Sequence, residues 1–308
     1  MRVGVVDIGT NSTRLLVADV DAAGTLVEVD RRSSVTRLGD GVDKSGALAR
    51  PAEERVLAAL DGYRAPLADC ERSVALMTSA VRDASNGREF ADEVGSLLGI
   101  TTRILSGDEE AATTFAGAMS TGSHGAGLCV VIDIGGGSTE FVVGDGGTMA
   151  FHVSTAAGVV RMSERHIHTD PPTPDELTEL ALDTRGVFHA AVPDERRAGV
   201  AAGIAVAGTA TSAAAIELQL DPYDPARVEG HTLYLSTVEL LLARLAELDE
   251  AGRRAVVGLH PDRAPTIIAG MILLQESMNL FGLDAVEVSE RDILAGGALA
   301  LAGAPAAP

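Results

Sequence analysis

One stretch of this chain occurs twice. Asp7-Ile8-Gly9-Thr10-Asn11-Ser12-Thr13-Arg14 returns as Asp133-Ile134-Gly135-Gly136-Gly137-Ser138-Thr139-Glu140 at a constant offset of 126 residues, and five of the eight positions are identical. Each copy is entered by a Val/Ile-rich run, Val3 to Val6 and Val130 to Ile132, and leaves into another, Leu15 to Val17 and Phe141 to Val143. Each therefore reads as a hairpin whose turn is rich in Gly, Ser, Thr and Asn. Taken singly, either copy could be a hairpin turn and nothing more. Two copies, each opening its own domain, predict a two-lobed fold with a cleft between the lobes.

The turn chemistry suggests what such a cleft would hold. In Gly9, Thr10, Asn11 and Ser12, and again in Gly135, Gly136, Gly137 and Ser138, small residues let the backbone approach a phosphate, and successive N–H groups form an anion-binding nest. Asp7, at the end of the first strand, points into the same cleft, where it can hold a hydrated divalent cation or a water. Lys44 is the only lysine, and Lys44-Ser45 follows Asp43 rather than Gly, so a Walker P-loop is excluded and phosphate must be held by backbone and arginine. A third candidate anion site follows the strand-like Ile204 to Ala207, where Gly208-Thr209-Ala210-Thr211-Ser212 reads as a turn and Ala213 to Leu218 as the start of a helix.

Composition bounds the remaining choices. A chain of 308 residues is long enough for two cores, and 46% hydrophobic residues with only 3% aromatics and no Trp require cores of Val, Leu, Ile and Ala, as in an α/β protein. A formal net charge of −20 argues against a nucleic-acid or anionic-membrane partner. A polyanionic substrate stays open, because distant carboxylates are screened beyond roughly 8 Å at physiological salt. Cys70 and Cys129 lack metal spacing and read as reduced core thiols. Asp7 interrupts the first apolar run too early for a signal-peptide core, so a cytoplasmic location is expected. Ala198 to Ile216 is uncharged but rich in Ala, Gly, Ser and Thr, and reads as strand, turn and helix rather than a membrane span. The Gly-rich stretch from Thr121 to Gly127 is the expected domain boundary, and Thr169 to Pro174 a linker ending at a helix start at Asp175-Glu176. His166 and His168 read as solvent-exposed rather than as a ligand pair.

At this point the chain resembles the actin/hexokinase/Hsp70-like superfamily. Further segments narrow the likeness: Asp7 to Arg14, Arg37-Leu38-Gly39, Thr78 to Asn86, Ser106-Gly107-Asp108-Glu109-Glu110-Ala111, Asp133 to Glu140, Gly208-Thr209-Ala210, Arg263-Ala264 and Val288-Ser289. In this order, across nearly the whole chain, they resemble the exopolyphosphatase/guanosine pentaphosphate phosphohydrolase (Ppx/GppA) family. The resemblance implies an α/β fold of two actin-like (ribonuclease H-like, ASKHA) domains with an interdomain cleft. Domain I would span 1–124, completed by a C-terminal helix at about 295–305, and domain II 125–294. It implies hydrolysis of the terminal phosphate of inorganic polyphosphate, or of guanosine pentaphosphate, with Mg2+ as cofactor. Longer members carry a further C-terminal helical region, whereas here only an Ala/Gly-rich segment follows Ser289, so short chains are the expected substrate.

The residues alone leave Glu109 and Glu110 interchangeable, since a capping box and the helix dipole favour acids in a first turn whatever their use. The resemblance assigns Glu109 to the cap and Glu110 to catalysis as general base. It places Arg82 and Arg263 along the phosphate path, although Ala264 is followed by Pro265 where the family commonly has an acidic residue, which leaves the orientation of Arg263 open. Arg14 and Glu140 occupy equivalent positions in the two copies; Arg14 reads as a phosphate clamp and Glu140, with Asp133 and through water Asp7, as the metal side. Either could instead be an exposed strand residue. An actin-like ATPase or sugar kinase, and a non-catalytic sensor of polyphosphate or guanosine polyphosphate, are the competing readings. Thr78 to Asn86 with Ser106 to Ala111 weighs against the first, and the presence of Glu110, Asp133 and Glu140 against the second. The oligomeric state is not fixed by the sequence; a homodimer is compatible with it.

Overall fold

A computed structural model describes residues 1–121, 127–145 and 148–303. The expected boundary stretch and the Ala/Pro tail lie largely outside the described residues. The chain divides into two compact units, Met1–His124 with Arg291–Pro308, and Gly125–Glu290.

The first unit is built on β1 (Arg2–Ile8), β2 (Ser12–Val20), β3 (Leu26–Val35), β4 (Arg72–Met77) and β5 (Thr101–Ile104), in the order β3-β2-β1-β4-β5. β1, β2 and β3 form an antiparallel meander, and β4 and β5 add in parallel on the other side of β1. β1 is apolar on both faces because both are covered, as its near-continuous Val/Ile run requires. Val6 and Ile8 face a core with Leu60 and Phe90, whereas Val3 and Val5 face Leu294, Ala298 and Leu299. Side chains alternate along a strand, so Asp7 shares the face of Val3 and Val5. That face is covered by the Ile293–Ala302 helix. Burial of each large aliphatic side chain there contributes about 1.5–3 kcal/mol relative to exposure.

The second unit repeats the plan with β6 (Cys129–Ile134), β7 (Thr139–Asp145), β8 (Thr148–Thr155), β9 (Ala202–Val206), β10 (His231–Tyr234) and β11 (Ala285–Val288), in the order β10-β11-β9-β6-β7-β8. β8-β7-β6-β9-β11 reproduces the first sheet's sequence of directions, with β10 added antiparallel at its edge. Phe141 packs edge-on against Phe188 with ring centroids 4.8 Å apart. Cys129 is buried in this sheet and Cys70 is half-buried in the segment just before β4, and neither forms a disulfide.

The stretch Ala198 to Ile216 is strand β9 followed by the Ala207–Glu217 helix, and among the described residues no helix is long and apolar enough to cross a membrane. That helix starts six residues earlier than the sequence predicts. Ala207 takes a left-handed φ of 64° and turns the chain in one residue, so Gly208 and Thr209 belong to the helix's first turn rather than to a loop before it. The helix after the Thr169–Pro174 stretch spans Pro174–Ala191, with Thr173 and Glu176 closing a capping box. His166 is not exposed as its sequence context suggests: Nε2 lies 2.8 Å from Asp183 Oδ2, and the ring is largely covered.

Candidate active site

The two hairpins have the same internal geometry. Gly9 N donates to Ser12 O at 3.0 Å, and Gly135 N to Ser138 O at 2.9 Å. Each is braced by a glycine from the segment after the third strand. Gly39 lies so close to Thr10 that a side chain there would overlap the Thr10 methyl, and its N–H donates to Thr10 O at 2.8 Å. Gly158 lies so close to Gly136 and Ser138 that a Cβ would collide with their backbones. The Val159–His166 helix then donates Val159 N to Gly135 O and Val160 N to Gly136 O. Arg161, which the sequence does not single out, donates Nε to Gly137 O at 2.9 Å. Its only sequence signal is its place three residues after the bracing glycine.

In the first unit the hairpin connects to the acidic helix through one short element. Thr10 and Ser79 share a hydroxyl hydrogen bond of 2.9 Å, and Ser79 opens the Ser79–Asp83 helix. From its last turn Arg82 donates Nη1 to Glu110 Oε2 at 2.7 Å and to Leu105 O at 3.1 Å. Glu109 and Glu110 are separated by geometry. Glu109 closes a capping box with Ser106 and pairs with Arg103 at the surface, while Glu110 points inward and is 7% exposed. Burial pushes the Glu110 carboxyl up to about 7; Arg82 opposes the rise, and the negative charges of Asp7 and Asp83 add to it.

Asp7 and Arg14 are cross-strand partners in β1 and β2. Arg14 donates Nε and Nη2 to Asp7 Oδ2, at 2.9 and 2.6 Å, and Nη1 to Asp292. Arg14 is thus brought to two buried carboxylates. Burial works against its charge, but Asp292 and then Asp7 outweigh that and hold it protonated. Burial raises the Asp7 carboxyl above the usual carboxylate range, Arg14 opposing and Asp292 adding. Asp7 Oδ1 is buried without a hydrogen-bond partner, as is Asn11 Oδ1 in the adjoining turn.

In the second unit the equivalent cross-strand pair is Asp133 and Glu140. Two carboxylates directly opposite on one face repel unless a cation lies near. Glu140 is 2% exposed and accepts from Ser154 Oγ at 2.6 Å. Among the described residues no group of three or more His, Cys, Asp or Glu side chains forms a ready metal site. Mg2+ does not require one, since it is commonly bound by one or two carboxylates with waters and substrate phosphates, and this facing oxygen pair fits that donor set. Asp133 is paired in register with Val206, so the Ala207-Gly208 turn emerges beside the second hairpin at the carboxyl ends of adjacent parallel strands. The Arg263 guanidinium lies directly on Gly208, where any side chain would overlap it. A guanidinium at the positive end of a helix favours an anion binding alongside.

Paired Gly-rich hairpins on ribonuclease H-like sheets, with a buried carboxylate next to an arginine in the first unit, define an actin-like fold. A family model for the Ppx/GppA phosphatase family matches residues 16–296. The chain is 38% identical to Exopolyphosphatase 2 of Mycobacterium tuberculosis over 98% of its own length and 99% of that protein's. It superposes on the solved Ppx/GppA family member of Aquifex aeolicus with a TM-score of 0.82 and 27% identity, covering 97% of each chain. A solved exopolyphosphatase-like protein gives a TM-score of 0.90 and 32% identity, again over 97% of each chain. The chain belongs to the Ppx/GppA family and is an enzyme, a hydrolase of phosphoanhydride bonds.

Proposed function

We propose that this enzyme removes the terminal phosphate of inorganic polyphosphate by attack of a water that Glu110 orients and deprotonates. The observation that carries the proposal is the Glu110 carboxyl itself, buried, raised to about 7 and held 2.7 Å from Arg82 on the helix that also hydrogen-bonds the first hairpin. A base with a pKa near the working pH accepts a proton readily while leaving a sizeable ionised fraction. Phosphoryl transfer needs little else from a protein beyond positioning and neutralised charge. The hairpin residues Gly9 to Ser12 and Gly135 to Ser138 bind phosphoryl oxygens through backbone N–H groups, and Gly208, Thr209 and Arg263 add a further anion site. Arg82 is near enough to Glu110 to offset charge on the phosphoryl group under attack. In the second unit Asp133 and Glu140 would hold Mg2+, which when bound offsets negative charge on the phosphoryl oxygens.

The likeness to Exopolyphosphatase 2 over nearly the full chain supports polyphosphate as the substrate. Guanosine pentaphosphate presents the same terminal phosphates to the same hairpins. Phosphate release should therefore be measured from polyphosphate and from guanosine pentaphosphate, each with magnesium and with chelator. The expected result is magnesium-dependent release that is faster from polyphosphate. Release from the nucleotide alone would transfer the proposal to that substrate, and phosphotransfer from ATP to a sugar would replace it with a kinase.

A further inference from the structure

Asp292 lies 278 residues from Arg14 in the chain and ends up bonded to it. Its side chain is 3% exposed and has two tasks. Oδ1 caps the Ile293–Ala302 helix by accepting from Leu294 N at 3.0 Å, and Oδ2 accepts from Arg14 Nη1. Arg14 in turn places both Nε and Nη2 on a single oxygen of Asp7, Oδ2, leaving the buried Oδ1 without a protein partner.

The helix capped by Asp292 is tightly fixed to the helix that carries Glu110. At Gly117 a Cβ would collide with the Asp292 carbonyl, and at Gly296 with the Thr113 carbonyl, so the Gly107–Ala118 and Ile293–Ala302 helices meet backbone to backbone. The Glu110 helix and the carboxylate that braces Arg14 therefore have little freedom to shift relative to each other.

We propose that Asp292 is a positioning residue for hydrolysis: by anchoring Arg14 it fixes the place of the buried Asp7 carboxylate, whose negative charge acts on Glu110. The proposal rests on the reading of Glu110 as the base. Arg14, gripped by carboxylates on both sides, keeps Asp7 from shifting towards or away from Glu110, and a displacement of about 1 Å near the reacting centre is enough to cost turnover. Asp292 touches neither water nor phosphate, and its effect passes through Arg14.

The test is a set of variants assayed for kcat and KM on one polyphosphate substrate, with folding followed by circular dichroism and melting temperature. Asp292→Asn keeps the cap, because Asn is as good an N-cap as Asp, but loses the charged anchor. It should lower kcat about 10- to 100-fold with KM changed less than about twofold, the cost expected of a misplaced group. In an Arg14→Gln background the same substitution should lower kcat no further, since the residue it acts through is gone. If Asp292→Asn does not fold, Asp292→Glu, which keeps the charge one methylene further out, is read instead, and a kcat loss of about 3- to 10-fold is expected. Parental kcat in the folded variant, or a full further loss in the Arg14→Gln background, overturns the proposal. Parental turnover in Glu110→Gln would instead overturn the underlying assignment of the base, so the two failures are told apart.

Discussion

In the proposed mechanism Glu110 couples chemistry to stability through one proton. As the proposed general base it must be ionised, so kcat should fall as pH drops below about 7. Its folded-state value lies above the 4.5 of an unperturbed carboxyl, so between those two values the folded protein binds more protons than the unfolded chain. The stability it contributes is therefore complete below about pH 4.5 and is lost as pH rises towards 7. Glu110→Gln removes both effects. Turnover should fall about 100- to 10,000-fold with substrate binding retained. Unfolding free energies from denaturant titrations should show the parent losing stability relative to the variant across that pH window. Near-parental turnover, or a difference in stability that does not change with pH, would remove Glu110 from this role. The site is not the only use of acids here: Glu109, one residue earlier, is spent on the helix cap and an exposed ion pair.

At the scale of elements, glycine decides how closely backbones approach. Gly39 and Gly158 brace the two hairpins, and Gly208 yields its side-chain volume to Arg263. Gly117 and Gly296 let the Gly107–Ala118 helix seat against the Ile293–Ala302 helix. Gly296→Ala would drive a methyl into the Thr113 carbonyl, where a rigid backbone has little room to yield. We expect a loss of about 1–3 kcal/mol in denaturant titration and a fall in kcat larger than any change in KM, because the displaced helix carries Asp292. A variant as stable as the parent would show that the helices can separate freely.

For the molecule as a whole, net charge bears on how a polymer is handled. With 44 acidic residues against 24 Lys and Arg, any part of a polyphosphate outside the proposed phosphate-binding turns meets a field of its own sign. Retention between cleavages should then be weak, and partial digestion of a long polyphosphate should give a ladder of intermediates on a gel. Added salt should lengthen retention by screening the repulsion. Full-length polymer coexisting with free phosphate and nothing between would mean processive cleavage. The pattern of duplicated hairpins, the aliphatic core and the acidic helix start were legible in the sequence because each depends on local chemistry: strand alternation, turn residues and capping. That Glu109 closes the helix cap while Glu110 turns inward was legible only through a family resemblance, since both fit a first helical turn. The Asp292–Arg14–Asp7 chain was not legible, and neither was the seat of Arg263 on Gly208. An N-cap aspartate before an apolar run announces a helix start, but which buried cation it meets depends on where that helix lands. That landing is set by long-range packing of Leu294, Ala298 and Leu299 on the Val3 and Val5 face of β1, which only the tertiary structure decides.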